Sequence, residues 1–114
     1  MLIGELARRC GVSTRSLRYY EQQALLDSTR DTNGYRHYDD AAELRVHQIR
    51  GLLDAGFGTD AIRTILPCAV GSTPDIDMCP QVAAEMRRTL ACIEESLGDL
   101  ERRRESVQAL LQTS

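Results

Sequence analysis

The chain has 114 residues, a formal net charge of −3 and 27% charged residues, which suits one small folded domain with one additional element. An apolar run of about 18 residues, which a membrane span needs, does not occur in the sequence. The first residues lack a secretory pattern, so we expect a cytoplasmic protein whose four cysteines are reduced.

The basic residues are all arginine, since no lysine occurs. In residues 1–57, eight arginines are balanced by eight acidic residues. Net charge therefore does not favour nucleic-acid binding, and such a function would depend on where the arginines lie. A planar guanidinium can hold a phosphate or read the edge of a guanine, so local arginine clusters are informative.

The first two predicted helices are joined by a short turn. Apolar residues at helical spacing predict the first helix, namely Ile3, Leu6, Ala7 and Cys10. Gly11 is suited to end it, and Ser13 is suited to cap a second helix from Thr14 to about Gln22. Two short helices with a glycine-containing turn predict a helix-turn-helix.

The second helix carries a candidate DNA-contacting face. If Leu17 and Tyr20 face the core, the outward side chains combine two guanidinium groups, a hydroxyl and an aromatic ring near a helix N-terminus, where phosphate binds favourably. We therefore predict DNA contacts from Ser13, Thr14, Arg15, Arg18 and Tyr19. Two arginines on a helix face are also common on surfaces that contact only solvent, so this pattern alone is weak.

A hairpin is predicted directly after the second helix. Asn33-Gly34 is a strong turn signal, and the residues around it mix cations with aromatic rings. A wing of this kind lies along the phosphate backbone and sets register. We predict wing contacts from Arg30, Tyr35, Arg36 and Tyr38.

Two more helices and a loop follow the hairpin. Asp40, with Glu43 three residues later, predicts an acidic capping box for a third helix that Gly56 closes. Thr59 is expected to cap a short fourth helix that Pro67 ends. Residues 68–79 show no sustained period and are expected to form a linker or a sensor loop.

A long helix is predicted over residues 80–112, with Pro80 in its first turn. Its apolar residues recur at nearly heptad spacing, interrupted at Arg104, and are Val82, Met86, Leu90, Ile93, Leu97, Leu100, Val107 and Leu111. A two-stranded coiled coil with a second copy would cover this stripe. The alternative is a helix packed along its own domain.

Several segments together resemble the start of a MerR-family transcription regulator. They are Ile3-Gly4-Glu5-Leu6-Ala7, Gly11-Val12-Ser13, Leu17-Arg18-Tyr19-Tyr20-Glu21, Asn33-Gly34-Tyr35-Arg36, Tyr38, Ile49-Arg50 and Gly56-Phe57. The resemblance implies a mainly α fold, with a winged helix-turn-helix over residues 1–67 and an antiparallel coiled-coil dimerisation helix over 80–112. It also implies a homodimer on a pseudo-palindromic operator in double-stranded DNA. Such a dimer bends and untwists an overlong promoter spacer, so that RNA polymerase engages both promoter elements.

By the family's pattern, Arg15 and Arg18 occupy recognition-helix contact positions, and Tyr35 and Arg36 occupy wing contacts. One position departs from that pattern, because Leu53 stands where family members often carry a basic residue that holds a phosphate. We expect the loss of that contact to flatten the salt dependence of DNA binding by roughly one unit of slope.

The signal that such a regulator would sense is left open by the sequence. The family's usual sensing elements are a cysteine-bearing loop after the dimerisation helix, clustered iron–sulfur cysteines and a drug-binding domain. None of these is recognised in the sequence. Cys68 and Cys79 flank the loop, and Cys79 stands where the family's divalent-metal sensors place a cysteine. Three interpretations remain: a thiol redox switch, a metal site, or cysteines with only a structural role.

We expect no enzymatic activity and no required cofactor, because no catalytic constellation of side chains stands out. The main functional hypothesis is a homodimeric transcription regulator that responds to a redox or metal signal at Cys68 and Cys79. The alternative is a DNA-binding architectural dimer that needs no effector.

Overall fold

The computed structural model describes residues 1–71 and 75–113, and over these residues the fold is mainly helical. This confirms the predicted fold class. In chain order the elements are α1 (Ile3–Cys10), α2 (Thr14–Gln22), β1 (Thr29–Arg30), β2 (Arg36–His37), α3 (Ala41–Asp54), α4 (Thr59–Ile65), a 3₁₀ turn (Leu66–Cys68), β3 (Ala69–Val70), β4 (Asp75–Ile76) and α5 (Pro80–Gln112).

The chain divides into two compact units, Met1–Cys79 and Pro80–Ser114. In the first unit, α1 packs against α2 and α3, and α3 packs against α4. The core is mostly aliphatic and is formed by the inward apolar faces of these short helices. Its fully buried side chains include Leu6, Leu17, Val46, Ile49, Ile62 and Ile65.

The hairpin after α2 forms as Asn33-Gly34 predicts. Strands β1 and β2 are antiparallel, with Thr29 opposite His37 and Arg30 opposite Arg36. The N-terminus of the chain extends this ribbon, because the Met1 carbonyl accepts from the Tyr38 amide at 2.7 Å and Leu2 forms a bridge with His37. We call residues 29–37 the wing.

The caps of α3 and α4 differ from the sequence predictions. The Ala42 amide donates to the Asp39 side chain at 3.1 Å, whereas Asp40 makes no side-chain cap bond. The capping-box prediction for Asp40 was therefore wrong by one residue. Gly58 occupies the N-cap position of α4, and the Thr59 hydroxyl donates to the Gln23 side chain instead, at 3.3 Å.

Residues 68–79 are more regular than the sequence indicates. Strands β3 and β4 pair in antiparallel fashion, with Ala69 opposite Ile76 and Val70 opposite Asp75. The Asp77 amide continues this pairing by donating to the Cys68 carbonyl at 2.9 Å. We call residues 68–79 the cysteine hairpin. Residues 72–74 within it lie outside the described part.

The second unit consists of α5, which is 33 residues long and so extends for about 50 Å. Val82 near the start of the heptad stripe is buried, whereas Leu90, Ile93, Leu97, Leu100 and Val107 are open to solvent, with exposed fractions of 40% to 56%. No helix in the described ranges has the length and apolar character needed to cross a bilayer.

Candidate nucleic-acid interface

The turn between α1 and α2 sets the direction of the second helix. Gly11 adopts a left-handed backbone conformation with a φ of 66°, which glycine adopts without a steric penalty, and its amide donates to the Ala7 carbonyl. The Ser13 side chain then accepts from the Ser16 amide at 3.0 Å, which caps α2. Both features follow from residues that the sequence indicates, and they fix where α2 begins.

Helix α2 presents the face that the sequence predicts. Leu17 and Tyr20 are buried, so the helix is anchored by that side. On the opposite side Arg15, Arg18 and Tyr19 are exposed. Ser13, which caps the helix, is also exposed, whereas Thr14 is half-buried.

Asp31 organises the tip of the wing. Its Oδ1 accepts from the Asn33 amide at 2.8 Å and from the Tyr35 amide at 3.0 Å. Its Oδ2 lies 2.8 Å from His37 Nε2. The hydrogen bond from His37 is the largest cause that lowers the pKa of Asp31, and the two backbone amides lower it further.

The wing exposes two of its predicted contacts and uses a third within the protein. Tyr35 projects from the tip with 64% of its surface exposed. Arg30 is exposed, and one of its guanidinium nitrogens donates to the Gly34 carbonyl at 2.9 Å. Arg36 is half-buried, and its guanidinium lies 3.5 Å from Glu21 Oε2. Arg30 and Tyr35 are therefore more open to a ligand than Arg36.

Tyr38 lies in the core, with 2% of its surface exposed. Its hydroxyl donates to Glu21 Oε1 on α2. Burial, followed by the hydrogen bond to Glu21 and its charge, raises the pKa of Tyr38. A side chain enclosed in this way is the least accessible of the predicted contacts, so its burial disfavours the predicted DNA contact from Tyr38, which stays a prediction. Tyr38 joins the base of the wing to α2.

A groove with a volume of about 710 Å³ runs between the start of α1, α2 and the wing. It brings together Arg18, Arg30, Tyr35 and Arg36, which the sequence predicts, and adds Arg8. Four guanidinium groups and one carboxylate, that of Glu5, line the groove, so its charged side chains are mostly positive on a chain whose net charge is negative. Such a surface suits the phosphate backbone of a nucleic acid.

Sequence reasoning did not single out Arg8. It lies on the outer side of α1, and its guanidinium passes over Gly4, 3.6 Å from where a Cβ would stand. The signal was available in the sequence, because an arginine four residues after a glycine lies on the same face of a helix and can fold back over it. Only the placement of the wing beside α1 gives that arginine a shared groove.

Leu53 is half-buried in the last turn of α3. The carbonyl of Leu53 accepts from the Gly56 amide at 2.9 Å, which closes the helix. Its side chain offers no charge to a phosphate, so the expected loss of one contact at this position stays a prediction.

Cys68 and Cys79 come together at the base of the cysteine hairpin, and both are half-buried free thiols. Burial is the largest cause that raises the pKa of Cys68, followed by the charge of neighbouring Cys79 and a hydrogen bond with it. Of the other cysteines, Cys10 is buried in α1 and Cys92 is exposed on α5.

A metal site is not assembled by the described residues. No group of three or more histidine, cysteine or acidic side chains converges within residues 1–71 and 75–113. The imidazole of His37 is engaged with Asp31 in the wing. Two sulfur ligands fall short of the four that a structural zinc site uses.

The cysteine hairpin is connected to α3 by two hydrogen bonds. The amide group of buried Gln48 donates to the Gly71 carbonyl at 3.0 Å. Arg45 donates to the Leu66 carbonyl at 3.1 Å, in the turn that precedes Cys68. From the same helix, Arg50 donates to the Cys10 carbonyl at 3.1 Å, at the end of α1. Helix α3 thus lies between the thiol pair and the helix-turn-helix.

Comparison with known proteins agrees with this geometry. The profile of the MerR HTH family regulatory proteins matches residues 1–68. The HTH-type transcriptional regulator ZntR of Escherichia coli K12 is 28% identical over 109 residues, which are 95% of this chain and 76% of ZntR. The nodulation protein NolA of Bradyrhizobium elkanii is 43% identical over 77 residues, or 67% of this chain, but the match spans only 34% of NolA.

Among solved structures, the fold is similar to that of the transcription regulator PbrR691 from Ralstonia metallidurans CH34, which was crystallised in complex with lead(II). The TM-score is 0.78 and the sequence identity is 24%, over 98% of this chain and 86% of PbrR691. At this identity the likeness establishes the shared fold.

Proposed function

Since the chain belongs to the MerR HTH family of regulatory proteins, we propose that this DNA-binding transcriptional regulator acts as a homodimer on a pseudo-palindromic operator. Arg15, Arg18 and Tyr19 enter the major groove, with Ser13 and Thr14 at the start of the recognition helix α2. Arg30, Tyr35 and Arg36 hold the adjoining phosphate backbone.

The observation that carries the proposal is the arginine-lined groove between α1, α2 and the wing. Its cations lie beside the outward face of α2, so phosphate contacts and base contacts would fall on neighbouring stretches of one duplex. On a helix face that contacts only solvent, we would not expect a second element, here the wing, to bring two further guanidinium groups, those of Arg30 and Arg36, to the same groove. The groove therefore favours a DNA interface over an ordinary polar surface.

The open stripe of α5 supports the homodimer. Leu90, Ile93, Leu97, Leu100 and Val107 follow steps of 3, 4, 3 and 7 residues, which is the spacing of a coiled-coil seam. A second copy of α5, packed antiparallel, would cover this seam along its length. Two recognition helices in one dimer then match two operator half-sites.

The regulatory step that we propose is a change in promoter geometry. A dimer that holds two half-sites bends and untwists the DNA between them, which presents both promoter elements to RNA polymerase. The polymerase is thus an indirect partner, reached through the shape of the promoter. The signal enters at Cys68 and Cys79.

The test is DNA binding by fluorescence anisotropy, with a fragment from upstream of the protein's own gene and a random duplex of equal length. We expect Arg18→Ala to weaken binding to the operator by about 5- to 150-fold and binding to random DNA much less. Arg87→Ala removes an exposed arginine on α5 and serves as the matched control. Equal losses on both duplexes would make Arg18 a phosphate contact without a role in specificity.

A further inference from the structure

The base of the cysteine hairpin holds two thiols whose chain positions are fixed by backbone pairing. The Asp77 amide binds the Cys68 carbonyl, so Cys68 lies opposite Asp77 in the ladder. Cys79 follows two residues later, beyond the end of β4, and its thiol is a hydrogen-bond partner of the Cys68 thiol. Cysteines eleven residues apart in the sequence thus become neighbours.

We propose that Cys68 and Cys79 are a reversible dithiol–disulfide switch, oxidised by a hydroperoxide, that changes the affinity of the regulator for DNA. This inference rests on the proposed function, because it names the signal to which the proposed regulator responds. The alternatives for the same pair are a metal site and a structural role, and each predicts a different outcome of the experiment below.

The chemistry balances with one hydroperoxide as the oxidant. The sulfur of one cysteine attacks the peroxide oxygen, which forms a sulfenic acid and releases water, or an alcohol from an organic hydroperoxide. The second sulfur then attacks the sulfenic sulfur, so that the S–S bond forms and the hydroxyl leaves as water. The two thiols lose two electrons and two protons, and the peroxide accepts both.

Cys79 is assigned the first attack. The raised pKa of Cys68 keeps that sulfur protonated, and the thiolate rather than the thiol is the nucleophile. Cys79 immediately precedes Pro80, the first residue of α5. Cys68 then acts as the resolving thiol from within the same hairpin.

A disulfide here would act on the DNA-binding unit through α3. It would tether Cys79 to the 3₁₀ turn that holds Leu66, whose carbonyl binds Arg45. The hairpin is also bound to Gln48 at Gly71. Any rearrangement at the sulfurs would therefore shift the two hydrogen bonds that join this segment to α3. Because α3 packs against α1, such a shift would be passed on to the helix-turn-helix.

The first experiment detects the bond itself on the intact protein. After treatment with hydrogen peroxide and alkylation of free thiols, trypsin releases residues 64–87 as one peptide that contains both cysteines. We expect this peptide to lose two hydrogen masses and to escape alkylation, and dithiothreitol to reverse both effects. Retention of two alkylated thiols, or linkage of Cys68 or Cys79 to another chain, would overturn the proposal.

The second experiment measures function in the same samples. We expect oxidation to change the operator Kd of the wild type at least about five-fold, and to leave Cys68→Ser and Cys79→Ser unchanged. Cys92→Ser, which removes an exposed thiol of α5, should respond like the wild type. Circular dichroism of each variant establishes that it is folded before DNA is added.

The outcomes separate the two proposals. If the reduced protein binds no operator, the proposed function fails, while the disulfide is still tested by mass. If the reduced protein binds and the disulfide forms without a change in Kd, the switch is refuted and the effector-independent dimer is favoured. A change in Kd that zinc(II) causes and peroxide does not would also refute the switch, in favour of metal sensing.

Discussion

Replacing Tyr38 with phenylalanine tests whether the wing and α2 form one rigid body. The substitution removes the hydroxyl group and little else, because the ring is enclosed with 2% of its surface exposed. That hydroxyl is a donor to Glu21, whose side chain is only 15% exposed and has little access to water as a replacement. Hydrogen bonds to charged groups contribute about 1.5–3 kcal/mol, so we expect the free energy of unfolding to fall by that amount.

The assay is urea denaturation followed by circular dichroism at a fixed protein concentration, since dimerisation makes stability depend on concentration. Tyr35→Phe is the matched control, because it removes the same hydroxyl from a ring that is 64% exposed. We expect the control to change stability by less than about 0.5 kcal/mol. Equal effects of the two substitutions would refute the assignment of Tyr38 as the link to α2.

The same variant has a pH signature. Folding raises the pKa of Tyr38, so the folded state holds the phenolic proton more tightly than the unfolded state does. This contribution to stability is fully present below the unfolded pKa of about 10 and is lost as the pH rises above it. We therefore expect the wild type to lose stability between about pH 10 and 11 faster than Tyr38→Phe.

Further predictions concern the groove, the coiled coil and the wing. Arg8→Ala should flatten the slope of log Kd against log salt concentration by about one unit, and an unchanged slope would remove Arg8 from the phosphate contacts. Leu97→Asp should convert the dimer to a monomer in light scattering at tens of micromolar, with a wild-type mass contradicting the coiled coil. The hydrogen bond from His37 lowers the pKa of Asp31 in the folded state. The ionised Asp31 carboxylate therefore contributes to stability above about pH 3.9, and this contribution is lost as the pH falls through the folded pKa. Asp31→Asn should therefore show a weaker acid dependence in unfolding, and superimposable acid curves would contradict this.

Sequence reasoning located the elements whose signals are local. The bounds of α1 and α2 follow from apolar spacing, and Ser13 caps α2 as a serine before a helix should. The hairpin follows from Asn33-Gly34, because a turn that needs a positive φ favours glycine, and Gly34 has a φ of 83°. These features need no knowledge of what the chain packs against.

The features that sequence reasoning missed depend on contacts between residues far apart in the chain. The cap of α3 is Asp39 rather than Asp40, since both are acidic and the path of the incoming chain decides which side chain reaches the Ala42 amide. The β3–β4 pairing is not indicated by an alternation of apolar and polar residues in the sequence. It is held instead by Gln48, which reaches Gly71 across 23 positions of sequence.

The position of Glu21 explains why a DNA-binding defect at Tyr38 would be ambiguous on its own. One oxygen of Glu21 accepts from Tyr38 and the other faces Arg36, so the loss of either partner changes where the wing presents its cations. Substitution of a positioning residue can weaken binding while the number of neutralised phosphates stays the same. Substitution of a residue that contacts a phosphate lowers that number by one. The salt slope distinguishes these cases, because it counts phosphates rather than affinity. For Tyr38→Phe we expect weaker operator binding at an unchanged slope, and a slope reduced by about one unit would place the Tyr38 hydroxyl at the DNA after all.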